Sequence, residues 1–394
     1  MTASPLRLAV VLSHPIQYYS PWFRWLARER RVEVRVFYLW DFGITAKHDP
    51  GFGASIKWDV DLLSGYEHEF VPNTARKPGT EHFWGLRNPT LTARLAVWKP
   101  DAILLFGYAY ATHLRTILWA RRHRVPLIFR GDSHFIGRPR QPNWKTWLLQ
   151  RIYRQFSAVT CVGLANRDYF RALGVPESRL FFAPHAVDGN LFDPTNDAHR
   201  AAAEKLRRDL GIDPSTRVVL FAGKLVPAKQ PLELLEAFLA LDLPGTALVI
   251  AGDGSEAAAV RERAKSAALG KVFFLPFANQ SEMPARYRLA DVFALPSRGL
   301  YETWGLAVNE AMHLNVPCLV SDRVGCQRDL VIDGVTGWVF HAENAAELRE
   351  RLRAALTAEL APFKARVAEK ISGYTYRETS AGVYAALDSL RARQ

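Results

Sequence analysis

The chain predicts an α/β fold of two doubly wound, Rossmann-like domains facing each other, and three observations lead there. At 394 residues it is long for a single core. Short apolar runs alternate with amphipathic segments, as buried parallel strands alternate with helices. That alternation runs twice, and a stretch rich in Pro, Asn and Asp, from Pro184-His-Ala-Val-Asp188 to Asp197, separates the two series. Residues 1–190 are therefore read as an N-terminal domain and 191–374 as a C-terminal one.

In the first series, strands are predicted at 6–12, 32–39, 102–107, 125–130 and 158–162, with a weaker run at 180–183. Leu6–Leu12 is too short for a secretory core and is followed at once by His14-Pro15, so it reads as the first strand. Helices are predicted at 19–30, 87–98, 110–123, 143–156 and 165–173, and the Gly-rich stretch 41–86 reads as a long functional loop. The second series places strands near 217–222, 247–251, 272–275, 292–295 and 317–320. Helices follow near 231–240, 255–268, 282–289, 304–314 and 326–332, with a last one at about 375–392 after Gly373.

Charge divides the chain more sharply than composition does. Residues 1–190 hold 26 Lys/Arg against 14 Asp/Glu, whereas 191–394 hold 25 of each, so the whole excess of +12 lies in the first half. Nine of the eleven Trp lie there too, so the two halves are expected to bind different things. Three cysteines, Cys161, Cys318 and Cys326, have neither a disulfide framework nor metal spacing, which suits a reducing compartment. No apolar run is long enough to span a bilayer. The expected location is cytoplasmic, at most peripheral on the inner face of the plasma membrane.

The most informative stretch is Glu302-Thr-Trp-Gly-Leu-Ala-Val-Asn-Glu310. If helical, eight residues rise about 12 Å and bring the second acid back near the first one's face. One carboxylate would then accept sugar hydroxyls and the other ribose hydroxyls, with the amides of Thr303, Trp304, Gly305 and Leu306 facing a diphosphate. A solvated helix that happens to carry two acids is the alternative. Around it, Gly223-Lys224 and Lys229 leave one predicted strand, Gly252-Asp253-Gly254 the next, and Asn279-Gln280 and Pro296-Ser297 two more. Paired ammonium groups at that edge suit a departing diphosphate. The Gly-Lys-Ser/Thr ending of a Walker loop is missing, and loop 323–328 is expected to close over the nucleotide.

The series Gly223-Lys224…Lys229, Gly252-Asp253-Gly254, Pro296-Ser297, Glu302-x7-Glu310-Ala311-Met312 and Gly334-Val-Thr-Gly-Trp-Val-Phe340 resembles family 4 glycosyltransferases of GT-B fold. Ser13-His-Pro-Ile-Gln-Tyr-Tyr-Ser-Pro-Trp-Phe23 resembles a bacterial subgroup with a His-Pro-Ile-Gln-Tyr motif. The resemblance implies a retaining enzyme that needs a nucleotide sugar and no metal, often in surface polysaccharide or glycolipid synthesis. It assigns Lys224 and Lys229 to the donor diphosphate, Glu302 to the sugar and Glu310 to the ribose. It also returns segment 375–394 to the N-terminal domain. The chain departs from the family in having Lys224 where Arg is commoner, Gly325-Cys326 for a Gly pair, and Ser13-His14-Pro15 for an N-terminal Gly-rich loop.

On the other side of the expected cleft, the strands ending in Ser13-His14 and Arg130-Gly131-Asp132-Ser133-His134 would aim at the acceptor. Asp132, His134 or His14 would orient or deprotonate its hydroxyl, unless the departing phosphate takes that proton; Arg130 is placed beside them. Trp144, Trp147, Leu148, Ile152 and Phe156 form a stripe beside Lys145, Arg151 and Arg154, which suits an anionic membrane surface or a helix packed on its own domain. The expected acceptor is a glycan or a lipid-linked one; the localised charge favours a phosphate-bearing lipid acceptor or membrane docking over a small neutral acceptor, and no nucleic-acid signature is present. Three other readings are kept open. They are a nucleotide-sugar epimerase, a non-catalytic nucleotide-sugar-binding subunit, and a metal-dependent transferase using Asp59 and Asp61.

Overall fold

The structure is a computed structural model that describes residues 5–44, 47–49, 54–56, 58–138, 142–265, 270–299 and 302–392. Its N-terminal half is built on strands β1 (Leu6–Leu12), β2 (Val32–Tyr38), β5 (Glu67–Phe70), β6 (Ala102–Phe106), β7 (Leu127–Arg130), β8 (Ala158–Cys161) and β9 (Leu180–Phe182). They pair in parallel in the order β5-β2-β1-β6-β7-β8-β9, while β3 (Lys47–Asp49) and β4 (Ala54–Ile56) form a separate antiparallel hairpin. The second half carries β10 (Arg217–Ala222), β11 (Thr246–Ala251), β12 (Val272–Leu275), β13 (Val292–Leu295), β14 (Cys318–Ser321) and β15 (Gly337–Phe340). These are also parallel, in the order β12-β11-β10-β13-β14-β15. Each sheet has apolar clusters on both faces, which is why its strands read as unbroken apolar runs.

Strand order fixes where a ligand can sit. In both sheets the order reverses once, between β1 and β6 and between β10 and β13. Doubly wound sheets bind ligands at the carboxyl ends of the strands at that reversal. Lys224 and Lys229 follow β10, and Ser297 and Glu302 follow β13, so the loops singled out in the sequence flank the crevice of the second sheet.

The last helix, Tyr376–Arg391, crosses back onto the first sheet. Trp22 Nε1 donates to Ser380 Oγ at 2.9 Å, and Arg31 pairs with Asp388 at 2.8 Å. At Gly382 the helix backbone lies so close to Phe182 that a Cβ would stand 1.9 Å from its carbonyl oxygen. The two halves and this returning helix make the GT-B arrangement that the sequence predicts.

Several elements lie outside the sequence expectation. Residues 41–86 hold β5, an edge strand of sequence Glu-His-Glu-Phe without an apolar run. Helix Asp197–Asp209 is so polar that only Ala203 is buried. Strand β15 and helices Ala345–Thr357 and Leu360–Ile371 are further additions. The helix expected at 326–332 shrinks to Gln327–Leu330.

Candidate active site

A cavity of about 370 Å³ opens between the halves, at the carboxyl edge of the second sheet. Each strand loop delivers part of it. The loop after β10 brings Lys229, whose Nζ donates to Glu302 Oε2 at 2.8 Å. Ser297, after β13, donates its Oγ to the same oxygen at 3.1 Å. The pair is mostly but not fully screened from solvent, with both side chains lining the cavity. Lys224 and Gly252 line it beside them.

The stretch between the two acids is not one helix. The helix begins at Leu306, and Glu302 lies in the loop before it. The expected helical spacing is therefore corrected: Glu302 reaches the cavity from the loop and Glu310 from the helix, so eight residues of one helix do not carry the pair. Gly305 makes the turn at φ +96°, and a Cβ there would meet Val324 at 2.8 Å, so both conformation and space require glycine. The loop 323–328 does not cover the cavity as expected. Instead it braces the acid loop from behind, with Gly325 N–H donating to Glu302 O at 3.1 Å and Cys326 N–H to Trp304 O at 2.8 Å. Gly305, Leu306 and Ala307 still line the cavity, and the first N–H groups of a helix have no partner within it.

Glu310 is 3 % exposed, yet three donors reach it. Tyr287 OH donates at 2.6 Å, Gln280 Nε2 at 2.8 Å and Tyr18 OH at 3.1 Å. Burial pushes its carboxyl pKa up, and those three hydrogen bonds pull it part of the way back. Tyr18 comes from the N-terminal half, so this carboxylate joins the two halves as well as lining the site.

Asp132 is the other cross-cleft carboxylate. It accepts from Thr303 Oγ1 at 2.7 Å and lies 3.7 Å from His185 Nε2. Burial raises its pKa, but the contacts with His185 and Thr303 outweigh that and hold it down to about 2. His185, in the crossing segment, is a buried residue that sequence reasoning missed; its ring stands 5.5 Å from that of Trp304. Burial lowers its pKa, Asp132 raises it, and the net direction is down.

Four predicted residues stand away from the cavity. Arg130 is buried and donates to Ala183 O at 3.0 Å and Pro184 O at 3.4 Å, tying down the crossing segment instead of facing an acceptor. His14 packs edge-on against Trp40 and Phe42, and burial lowers its pKa to about 4. His134 lies behind the Glu302–Thr303 loop, its Nδ1 accepting from Ile136 N–H at 3.1 Å. Asp253 is exposed and caps Gly254 N–H at 2.8 Å, a turn role. Asp59 and Asp61 do not form a metal clamp. Asp59 accepts from Ser281 N–H across the cleft at 3.2 Å, while Asp61 accepts from Leu63 and Ser64 within its own loop. No group of three or more potential metal ligands occurs among the described residues.

His185 stands behind Asp132 without lining the cavity, and the structure adds Gln17, Tyr18, Trp58, Phe277, Gln280, Arg286 and Tyr287 to the lining. Gln17 and Tyr18 lay inside the quoted N-terminal motif and Gln280 in the quoted Asn279-Gln280 pair; Arg286 and Tyr287 sit on helix Met283–Arg288, and Trp58 and Phe277 on loops, where their residue types carry no signal alone.

With that geometry in place, comparison with known proteins decides the family. The profile described as glycosyl transferases group 1 matches residues 202–373, and that described as glycosyltransferase family 4 matches 23–190. The GDP-mannose-dependent alpha-(1-6)-phosphatidylinositol monomannoside mannosyltransferase of Mycolicibacterium smegmatis is 34% identical over 287 residues, covering 70% of this chain and 71% of that protein. The chain belongs to the family 4 glycosyltransferases. The D-inositol 3-phosphate glycosyltransferase of Corynebacterium glutamicum is 34% identical over 180 residues, but that match spans only 42% of its length and 43% of this chain. Two solved structures share the fold. The Rickettsia africae glycosyltransferase has a TM-score of 0.75 at 13% identity, covering 98% of this chain and 99% of that one. Anabaena HepE in complex with UDP and glucose gives 0.72 at 19%, covering 98% and 100%.

Proposed function

We propose that this family 4 glycosyltransferase moves a sugar from a nucleotide donor, with retention, onto a hydroxyl of a glycan or lipid-linked acceptor in cell-surface polysaccharide or glycolipid synthesis. One observation carries the reading: a lysine, two acids and the first turn of a helix line a single cavity at the sheet's reversal. Lys229 supplies positive charge where the diphosphate departs, and Lys224 lies beside it. Glu302, released from Lys229 when the donor enters, accepts sugar hydroxyls; Glu310 accepts ribose hydroxyls. Asp132, whose contacts hold its pKa down to about 2, orients the acceptor from the other half, and the departing phosphate takes the acceptor's proton.

The outer surface of the N-terminal half supports a lipid-borne acceptor. Helix Asn143–Tyr153 buries Leu149 and Tyr153 but leaves Trp144 68% and Trp147 56% exposed, with Leu148 also exposed. Thus only part of the apolar stripe packs on its own domain. Arg151 lies over the Trp147 ring at 5.0 Å, so cation and aromatic share one face. An anionic lipid surface matches that chemistry and the +12 excess of this half. No helix among the described residues is long and apolar enough to cross a membrane. The relative from M. smegmatis is named for a phosphatidylinositol monomannoside, which supports a lipid-borne acceptor. The test screens UDP-, GDP-, ADP- and CMP-sugars for transfer, then repeats the active pair with Glu302→Ala and Lys229→Ala. Wild-type transfer by both variants would refute the site.

A further inference from the structure

The strand order of the second sheet acts as a ruler along the donor. Reading from the Glu302 loop, the neighbours are β13, β10, β11 and β12. Adjacent strands lie about 4.8 Å apart, so the three steps span roughly 14 Å. Glu302 leaves the β13 end, Lys224 and Lys229 leave β10, and Gly252 leaves β11. If sugar and diphosphate occupy the first two stations, the nucleobase must lie by the loop after β12. That loop is Pro276 to Asn279, and it lines the cavity through Phe277 and Ala278.

Two side chains at this end have no part in the function described so far. Arg286, on helix Met283–Arg288, lines the cavity at 5 % exposure. Its Nη1 donates to the carbonyl of Pro276, which fixes the guanidinium plane against the β12 loop. One hydrogen bond leaves most of the five N–H donors of an arginine for a ligand. Trp58 comes from the other half and lines the same cavity. Its neighbour Asp59 holds it there. Asp59 N–H donates to Asn279 Oδ1 at 3.3 Å, and Asp59 Oδ1 accepts from Ser281 N–H at 3.2 Å.

We propose that Arg286 selects guanine as the donor base, with Trp58 closing over it as an aromatic platform. The inference rests on the nucleotide-sugar reading and adds the base to it. A buried guanidinium is costly to leave unmatched, so this end of the cavity favours a base that offers acceptors and disfavours one that offers a donor. Guanine places O6 and N7 side by side, a two-acceptor edge that fits the arginine fork. Adenine puts an amino donor beside N7 and opposes the fork. Uracil lacks such an edge, because an N3–H donor separates its two carbonyls, and cytosine has its acceptor pair, O2 and N3, on the edge beside the ribose and not on the far edge where guanine has O6 and N7. A flat indole stacks on any base, so Trp58 supplies affinity without selectivity.

The test is a calorimetric titration of GDP, UDP, ADP and CDP against the wild-type chain, Arg286→Leu, Arg286→Lys and Trp58→Ala, each first checked for a cooperative melt. The expected wild-type result is GDP bound at least about tenfold more tightly than the other three. Arg286→Leu should flatten that preference. Arg286→Lys, which keeps the charge but lacks the fork, should also lose most of it and guards against a folding defect in the leucine variant. Trp58→Ala should weaken all four by a similar factor. A wild type that prefers UDP, ADP or CDP, or arginine variants that keep the GDP preference, would overturn the proposal and leave the nucleotide-sugar reading intact. Failure of the wild type to bind any of the four would overturn both.

Discussion

The two halves of this molecule share an architecture and divide its chemistry. The C-terminal half has balanced charge and builds its share of the cavity from loops leaving neighbouring strands of one sheet. The N-terminal half carries the whole charge excess and contributes Gln17, Tyr18, Trp58 and Asp132 from three separate regions of its chain. It also leaves Trp84, Trp144 and Trp147 exposed. On the proposed reading, the sugar and diphosphate contacts come from short signatures close together in the sequence, whereas the base platform Trp58 and the acceptor side depend on which distant residues the fold brings to the cleft. The difference teaches that one part of a cleft can be written in local sequence while another exists only by assembly.

The sharpest way to break that division is to remove the charges of the donor half. Glu302→Ala and Lys229→Ala should each lower transfer by about a hundred- to a thousandfold, the range for losing one preorganised charge-stabilising group. Glu310→Ala should weaken donor binding by about tenfold or more, read by titration, because a charged hydrogen-bond acceptor is lost. Asp132→Asn belongs to the other half and should act on the acceptor: a rise in acceptor KM with donor affinity unchanged. If it weakens donor binding as strongly as Glu310→Ala does, the division is wrong.

The junction between the halves makes a pH prediction. Asp329 accepts Leu164 N–H with both carboxylate oxygens at 3.0 Å, so a side chain of one half caps a helix of the other. Burial raises its pKa to about 6, although Leu164 N–H, the Tyr374 hydroxyl, Arg328 and Lys370 all pull downward. The folded state therefore holds this proton more tightly than the unfolded chain does. Its contribution to stability is complete below about pH 4 and is lost as pH rises through 6. The loss is on the order of 3 kcal/mol. Melting curves across that window should show the slope in the wild type and not in Asp329→Asn. The smallest effect expected is at the outer surface. Trp144→Ala with Trp147→Ala should reduce binding to anionic vesicles about tenfold while leaving transfer to a soluble acceptor unchanged.

How much of this was legible in the sequence follows the same division. The β10–β14 loops were readable because a parallel strand announces itself as an apolar run and its carboxyl end as the next polar or glycine residue. Arg130 misled for a physical reason: position at a strand end does not say whether a long side chain turns to the cleft or, as here, under the crossing segment. His14 misled similarly, since the fold hides it among aromatics. His185 and Arg286 carry no local signature, and only tertiary packing brings them beside Asp132 and the β12 loop. The helical spacing assigned to Glu302 and Glu310 failed because Gly305, at φ +96°, starts the helix later.

The central claim is that one sheet edge in the C-terminal half holds the donor diphosphate between Lys229, Glu302 and the amides at Gly305 and Leu306. A crystal structure with a nucleoside diphosphate bound tests it most directly. The account predicts the diphosphate against Lys229 and those amides, with the Lys229–Glu302 contact of 2.8 Å opened. A diphosphate bound elsewhere, with that contact intact, would contradict it.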